Sequence, residues 1–318
     1  MRNQIVYSVI APIFNEVGNL PELYHRVKEN MDTTGEAWEL LMVDDGSTDG
    51  STDQIQQLAQ QDSRVKPIIF ARNFGHQIAV TAGLDYAQGQ AAVIIDSDLQ
   101  DPPEVILDLI SKWKEGYEVV YAQRAEREGE TWFKLLTASI FYRLIYRITD
   151  VNIPMDTGDF RLLDCKVVEV MRQMRERHRF LRGMSTWVGF KQIGVPYKRA
   201  ARYSGETKYP LKKMVKFASD AITSFSYFPL QLAMYLGFIS AGISIIAIPV
   251  VVILRMVGAH AFLGQATTLI AVLFLGGVQL ISLGILGEYI GRLYDEAKGR
   301  PLYILREAPS KGEEGETE

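Results

Sequence analysis

The sequence predicts an α/β fold: a mostly parallel sheet covered by helices, followed by a pair of membrane-spanning helices. Three observations predict it. Apolar strand-like runs alternate with helical ones between residues 6 and 122. Four of those runs end in clusters of Asp, Asn, Gly and Ser. Finally, residues 221–254 carry no Asp, Glu, Lys or Arg, and residues 256–287 carry only His260 as a titratable group.

Strands are predicted at residues 6–14, 39–43, 66–71, 91–95 and 118–122, and helices at 20–31, 54–61, 78–88 and 103–115. Strands separated by helices of this length indicate βαβ units. Unbroken apolar runs such as Ala92-Val93-Ile94-Ile95 suit a sheet covered on both faces. The first run is short and is followed at once by Asn15-Glu16, with no small-residue cleavage site, so it reads as a strand and not as a signal peptide. Beyond Arg124 the pattern changes. Residues 131–147 read as an amphipathic helix, 160–163 as a short strand, 167–174 as a helix and 190–199 as a further strand. Residues 210–228 mix lysines with aromatics, which fits helices lying in a membrane interface.

A spanning helix needs about 20 apolar residues, and the spans are placed at 230–254 and 267–287. Pro249 falls within the first, a position that neighbouring helices can accommodate. Lys208, Lys212, Lys213 and Lys216 precede the hairpin, Arg292, Lys298, Arg300 and Arg306 follow it, and its connector holds only Arg255. Positive charge gathers on the cytoplasmic side, so both termini are expected there, in a multi-pass protein of the cell membrane. The expected organisation is a cytosolic domain (1–209), juxtamembrane helices (210–228), a hairpin (229–290) and a C-terminal segment (291–318) ending in a disordered acidic tail.

The net charge of −4 points to no nucleic-acid partner. Cys165 is the sole cysteine, which excludes an intramolecular disulfide and a cysteine metal cluster.

In open α/β sheets ligands bind beyond the carboxyl ends of the strands. Here those ends are Pro12-Ile13-Phe14-Asn15-Glu16, Val43-Asp44-Asp45-Gly46-Ser47-Thr48-Asp49, Ala71-Arg72-Asn73-Phe74-Gly75-His76 and Asp96-Ser97-Asp98-Leu99-Gln100-Asp101-Pro102-Pro103. Each alone is ordinary turn chemistry, and Asp101 suits a helix N-cap. Turn chemistry does not call for carboxylates at so many ends. Asp96 and Asp98, two residues apart, can converge on a hard divalent cation, Mg²⁺ or Mn²⁺, which would stabilise a nucleotide diphosphate as a leaving group. No Gly-x-Gly-x-x-Gly follows the first strand and no Walker lysine loop is present, which argues against a dinucleotide oxidoreductase and a P-loop ATPase.

Together these four blocks resemble the inverting glycosyltransferases of family 2. Asp96 to Glu104 narrows the likeness to the polyprenyl-phosphate branch, closest to its GtrB-type glucosyltransferases. Gly158-Asp159-Phe160-Arg161-Leu162-Leu163, Arg182-Gly183 with Trp187, and the run from Arg202 to Tyr209 resemble that branch in the same order. The likeness covers nearly the whole chain. It implies a Rossmann-like GT-A domain with interface helices and a transmembrane hairpin. The implied reaction moves a sugar from a nucleotide sugar to polyprenyl (undecaprenyl) phosphate at the cytosolic membrane face, with inversion. UDP-glucose is the donor implied first; GDP-mannose, a UDP-N-acetyl sugar or an aminoarabinose donor are the alternatives.

The same resemblance implies the residue roles. Pro12, Phe14 and Glu16 line the nucleotide site, Asp44 contacts the base with Arg72 nearby, and Asp96, Asp98 and Gln100 surround the metal and diphosphate. Arg124, taken to follow the fifth strand, and Arg202 hold the acceptor phosphate, with Arg127, Lys134 and Lys208 as further candidates. Asp159 faces the reacting centre, as a base or as an orienting group. A homo-oligomer through the membrane region, with a tetramer among the options, is also implied. Two other readings are weighed against this one. A processive polysaccharide synthase would need more spans and a Gln-x-x-Arg-Trp motif, which the chain lacks. A non-catalytic scaffold or nucleotide-sugar sensor would have no use for Asp96, Asp98 and Asp159 together.

Overall fold

The computed structural model describes residues 5–124, 157–199, 226–257 and 265–309. Within them, β1 (Tyr7–Ile13), β2 (Trp38–Asp44), β3 (Val65–Phe70), β4 (Ala91–Ile94), β5 (Val119–Arg124), β6 (Thr157–Asp164), β7 (Gln192–Tyr197) and β8 (Leu305–Glu307) form one sheet. Its order is β7-β5-β6-β4-β1-β2-β3-β8. Every residue of β1 and β2 is buried, as expected of strands that read as unbroken apolar runs.

Two apolar layers clothe the sheet, and the strand period of two sorts residues between them. Tyr7, Val9, Ala11 and Ile13 of β1 face α1 (Leu20–Asp32), α2 (Ser51–Gln61) and α4 (Val105–Lys114). Ile10 faces α3 (His76–Tyr86), α5 (Cys165–Gln173) and α6 (Leu181–Trp187). Leu23, Val27 and Met31 of α1 and Ile106, Leu109 and Ile110 of α4 are all buried, three or four residues apart as an amphipathic helix requires. Each such side chain contributes about 1.5–3 kcal/mol by leaving water.

The sheet is mixed. β1–β2, β2–β3, β1–β4 and β5–β7 pair in parallel, whereas β4–β6, β5–β6 and β3–β8 are antiparallel. β5 follows β4 along the chain, but β6 lies between them in the sheet. An apolar run reveals that a strand is buried, not which way it points. β6 is also longer than the predicted 160–163. Its direction matters for chemistry: β6 pairs Ile94 with Arg161. Continuing that register two residues beyond β4 sets Asp159 opposite Asp96.

Three local expectations change. Arg124 is the last residue of β5, not part of a following segment. α4 starts at Val105 with Glu104 at its N-cap; Asp101 is instead fully buried, accepts the Tyr197 hydroxyl, and has the Arg199 Nε at 3.3 Å. α6 and β8 belong to no predicted element. The predicted helix 131–147 and most of the predicted interface segment 210–228 lie outside the described residues.

α7 (Phe228–Met256) and α8 (Gln265–Ala297) pack side by side and exceed the predicted spans at both ends. Their apolar side chains face outward, with Ile245 71% and Leu280 72% exposed, the reverse of the sheet domain. Two helices this long and apolar can cross a bilayer. At the domain end of the hairpin the Tyr289 hydroxyl donates to the Ser226 carbonyl at 2.6 Å. The last turn of α8 also grips the loop before α6: Glu296 accepts from the Arg177 backbone N–H at 2.7 Å and Asp295 lies 3.3 Å from His178.

Candidate active site

The strand-end loops are fastened to one another by their own polar residues. Asn15 adopts φ +55°, which its short amide side chain tolerates. Its Oδ1 accepts from Thr48 N at 2.8 Å, and its N–H donates to Ser47 Oγ at 3.0 Å. Glu16 N donates to Ser51 Oγ (3.2 Å) and Val17 N to Asp49 Oδ2 (3.0 Å). The β1 and β2 loops are thereby zipped together. Phe14 stands outward at 47% exposure beside them, while Pro12 is buried at the end of β1. Glu16 accepts from its neighbour Asn19 at 2.5 Å.

The β2 loop is fastened to the β3 loop in turn. Asp44 is fully buried; one oxygen accepts from Ser47 N at 2.9 Å and the other from the Thr52 hydroxyl. Asp45 accepts from Phe74 N at 2.6 Å and Gly75 N at 2.9 Å. Burial pushes the Asp45 carboxyl up, against those two backbone bonds. Gly46 has φ +71°, and a Cβ there would sit 2.5 Å from the Arg72 carbonyl carbon, so only glycine fits. Arg72 is exposed, its guanidinium 3.9 Å from the Phe74 ring centroid.

Beyond β4 the chain turns sharply. Leu99 is held at φ +57°, a left-handed conformation costing a branched residue on the order of 1 kcal/mol. The turn is closed by Asp98 Oδ1 accepting from Gln100 N at 3.1 Å. Asp96, Asp98 and Gln100 are all partly open to solvent.

Asp159 is the most heavily bonded carboxylate of the site, with a side chain only 7% exposed. Arg182 Nε donates to Oδ1 at 2.8 Å; Gln77 Nε2 donates to Oδ2 at 3.1 Å; His76 Nε2 lies 3.2 Å from Oδ2. Burial alone would raise its pKa, but the Arg182 charge and then His76 hold it well below the usual carboxylate range. Gln77 is itself oriented by accepting the Leu181 N–H at 2.9 Å. His76 reaches the other carboxylate too, 3.6 Å from Asp96 Oδ1. Burial works to lower the imidazole pKa, yet the bond to Asp159 and the Asp96 charge win and raise it to about 9. Arg161 is buried one turn of strand away, where it donates to the Gly158 carbonyl at 2.9 Å and to the Ser185 hydroxyl. Burial lowers its pKa to about 10.

Asp96 contrasts with Asp159. Its Oδ1 is shielded from solvent and has no hydrogen-bond partner among the described residues. Burial pushes the carboxyl up to about 6, with His76 opposing and Asp159, Asp101 and Asp98 adding to the rise. A shielded carboxylate oxygen without a donor, two residues from a second carboxylate, fits a hard cation. Among the described residues no three His, Cys, Asp or Glu side chains group around one metal position. Two carboxylates with the remaining oxygens drawn from water and phosphate is the usual environment of Mg²⁺.

The structure therefore brings together Asp96, Asp98, Gln100 and Asp159, with Pro12, Phe14, Glu16, Asp44 and Arg72 along the neighbouring loops. Arg124 sits at the β5 end, its Nη2 3.5 Å from where a Cβ on Gly158 would lie. Arg127, Lys134, Arg202 and Lys208 lie outside the described residues. His76, Gln77 and Arg182 were not among the predicted site residues. His76 and Gln77 directly follow the third-strand block, and Arg182 belongs to a block already singled out, so their position was visible while their role was not.

Residues 8–172 match the model of glycosyl transferase family 2, and residues 228–293 match the GtrB C-terminal hairpin. The chain is 52% identical over 308 residues to the uncharacterized glycosyltransferase YkcC of Bacillus subtilis, covering 97% of this chain and 95% of that protein. It is 42% identical over 299 residues to the prophage bactoprenol glucosyl transferase homolog of Escherichia coli, covering 94% and 98%. It is 41% identical over 304 residues to the bactoprenol glucosyl transferase of Shigella phage SfV, covering 96% and 99%. With a carboxylate pair at the strand ends, a family match over the sheet domain and a second match over the hairpin, this chain belongs to glycosyl transferase family 2, as a glycosyltransferase carrying a GtrB C-terminal hairpin.

Proposed function

We propose that the protein transfers a sugar, glucose from UDP-glucose in the first instance, to polyprenyl phosphate at the cytosolic face of the cell membrane, inverting the anomeric centre. One observation carries the reading. Asp96, whose only charged neighbour of opposite sign among the described residues is His76 at 3.6 Å, and the fully bonded Asp159 face each other across the strand ends, in a chain that continues into an apolar hairpin. The names of the phage and prophage relatives carry bactoprenol and a glucosyl group, which supports a polyprenyl acceptor and glucose as the sugar.

Asp96, Asp98 and Gln100 would hold the divalent cation, Mg²⁺ or Mn²⁺, which when bound neutralises charge on the diphosphate leaving group. Phe14 and Arg72, both exposed on neighbouring loops, would flank the nucleotide. Asp44 is fully buried and both its oxygens already accept bonds, from Ser47 N and the Thr52 hydroxyl, so it would shape the base site by holding the β2 loop and not by direct contact. Arg124 and Arg202 would orient the acceptor phosphate, with Arg127, Lys134 and Lys208 beside them.

The acceptor needs no strong base. A phosphate monoester has a second pKa of about 6 and is largely ionised at neutral pH. Its oxygen attacks the anomeric carbon, the bond from that carbon to the diphosphate oxygen breaks, and the nucleoside diphosphate leaves with the electron pair; no proton moves. Asp159 suits this chemistry as an electrostatic group. A carboxylate held well below its ordinary pKa by Arg182 and His76 is a poor proton acceptor, but its fixed negative charge stabilises positive charge developing on the sugar.

The Arg177–Glu296 bond ties the end of α8 to the sheet domain and the Tyr289–Ser226 bond ties the start of the hairpin to α8, which supports both hairpin ends on the domain side. With Lys and Arg flanking those ends, the positive-inside rule puts domain and termini in the cytoplasm. The outward apolar faces of α7 and α8 leave room for contacts with lipid or with further copies in a homo-oligomer.

The test uses the full chain in vesicles containing undecaprenyl phosphate, with labelled UDP-glucose, GDP-mannose, a UDP-N-acetyl sugar and an aminoarabinose donor in turn. A labelled lipid of inverted anomeric configuration from UDP-glucose is expected. Lipid product from none of the donors would sink the reading. Arg202→Ala is expected to raise the KM for lipid phosphate while UDP affinity holds; an equal loss of UDP affinity would remove Arg202 from the acceptor side.

A further inference from the structure

We infer that Tyr303, on the chain segment leaving the hairpin, is a positioning residue for the donor site: it braces the β3–α3 loop from behind and so holds Arg72 in place. The inference rests on the reading of the β1–β4 strand ends as a nucleotide-sugar site.

The path is continuous from side chain to side chain. Tyr303 stacks on Phe70 with ring centroids 5.3 Å apart and planes within 8°. Phe70, the last residue of β3, is buried and packs edge-on against Phe74 at 5.6 Å. Phe74 carries the Arg72 guanidinium on its ring at 3.9 Å. Backbone bonds hold the same stack from both sides: Ala71 N donates to the Ile304 carbonyl at 2.9 Å, and Asp45 holds Phe74 N and Gly75 N. The far end of the tyrosine is fixed as well. Its hydroxyl donates to Asp85 Oδ2 at 2.8 Å, and Arg175 bonds the same carboxylate at 2.7 Å. Burial, followed by the Asp85 charge, raises the phenol pKa, so it stays a donor at any working pH.

The stacked pair and the edge-on pair each add attraction beyond their burial, enough to favour one loop conformation over others. The residue that sets the donor loop thus arrives from the membrane side of the molecule, a few residues after α8 ends at Ala297.

The experiment measures steady-state kinetics of the full chain with undecaprenyl phosphate and the donor the wild type uses, together with UDP binding by calorimetry. Tyr303→Ala is expected to raise donor KM and weaken UDP binding about tenfold, with kcat and acceptor KM within about threefold, the pattern of lost binding and not of lost chemistry. Tyr303→Phe keeps the ring and is expected to stay within about twofold of wild type. Gln56→Ala removes the 2.7 Å bond to Glu307 of β8, further along the same segment and away from the stack, and is expected to leave donor KM unchanged. If Tyr303→Ala does not accumulate, Tyr303→Leu fills the volume without a ring and reads the same split. Unchanged donor KM and UDP affinity in the ring-less variant would overturn the inference, as would a fall in kcat alone or equal damage in Tyr303→Phe. A wild type that neither binds UDP nor labels lipid would overturn the underlying functional reading instead.

Discussion

Two carboxylates meet at His76, and their surroundings could hardly differ more. Asp159 arrives on an antiparallel strand and is bonded by Arg182, Gln77 and His76. Asp96 arrives on a parallel strand, with a shielded oxygen that has no donor. The first is complete within the protein and is held ionised. The second has His76 at 3.6 Å as a charge partner but no hydrogen bond to that oxygen, which leaves it open to a further positive ligand. In the proposed reaction, a charge that stays constant would sit at Asp159, and a charge offered to a ligand would sit at Asp96.

The comparison can be broken most severely on the ligand side. Asp98→Ala is expected to abolish transfer, a fall in kcat on the order of 10³-fold or more, because the leaving diphosphate loses its counter-charge. Chelation with EDTA should do the same to the wild type, reversibly on adding Mn²⁺. Arg182→Ala comes next. It strips the main partner from a buried carboxylate, with an expected stability loss of about 3 kcal/mol by thermal or urea unfolding and a fall in kcat of roughly 10²-fold.

Acid unfolding gives a subtler test. The folded-state pKa of Asp159 lies below its unfolded value of 3.8. The stabilisation it brings is therefore complete above that value and is lost as pH falls through the folded-state value. Asp159→Asn should be less stable than wild type at pH 7, yet show a shallower decline below pH 4. Equal slopes would mean that Asp159 is not held as described. The smallest expected effect is a rise of a few degrees in Tm when Mn²⁺ is added at saturating concentration. That rise should persist in Asp159→Asn and vanish in Asp96→Asn; its survival in Asp96→Asn would place the cation elsewhere.

The sequence showed the donor half of this site more clearly than the rest. β1 to β4 are short, apolar and regular, and each ends in polar residues, so their ends could be read as one edge. β6 is also buried but carries Asp159, Arg161 and Asp164, and nothing in Phe160-Arg161-Leu162-Leu163 states that it runs backwards between β4 and β5. Without that reversal, the register that sets Asp159 opposite Asp96 is invisible. His76 illustrates a different limit. It sits in plain view after Phe74-Gly75, but a histidine that bridges two carboxylates gains its role from a residue 83 positions away. β8 is shorter still, three residues with two charges, and owes its strand form to an open edge of β3 and not to its own composition.

That late strand also sets an order of events in biogenesis. An uncovered sheet edge offers unpaired backbone groups to any other chain, and in this protein β8 closes part of the β3 edge antiparallel. Residues 305–307 leave the ribosome only after both hairpin helices have been made. A nascent domain therefore keeps that stretch of β3 open until the chain beyond both hairpin helices has been made, so the sheet is completed only after the hairpin.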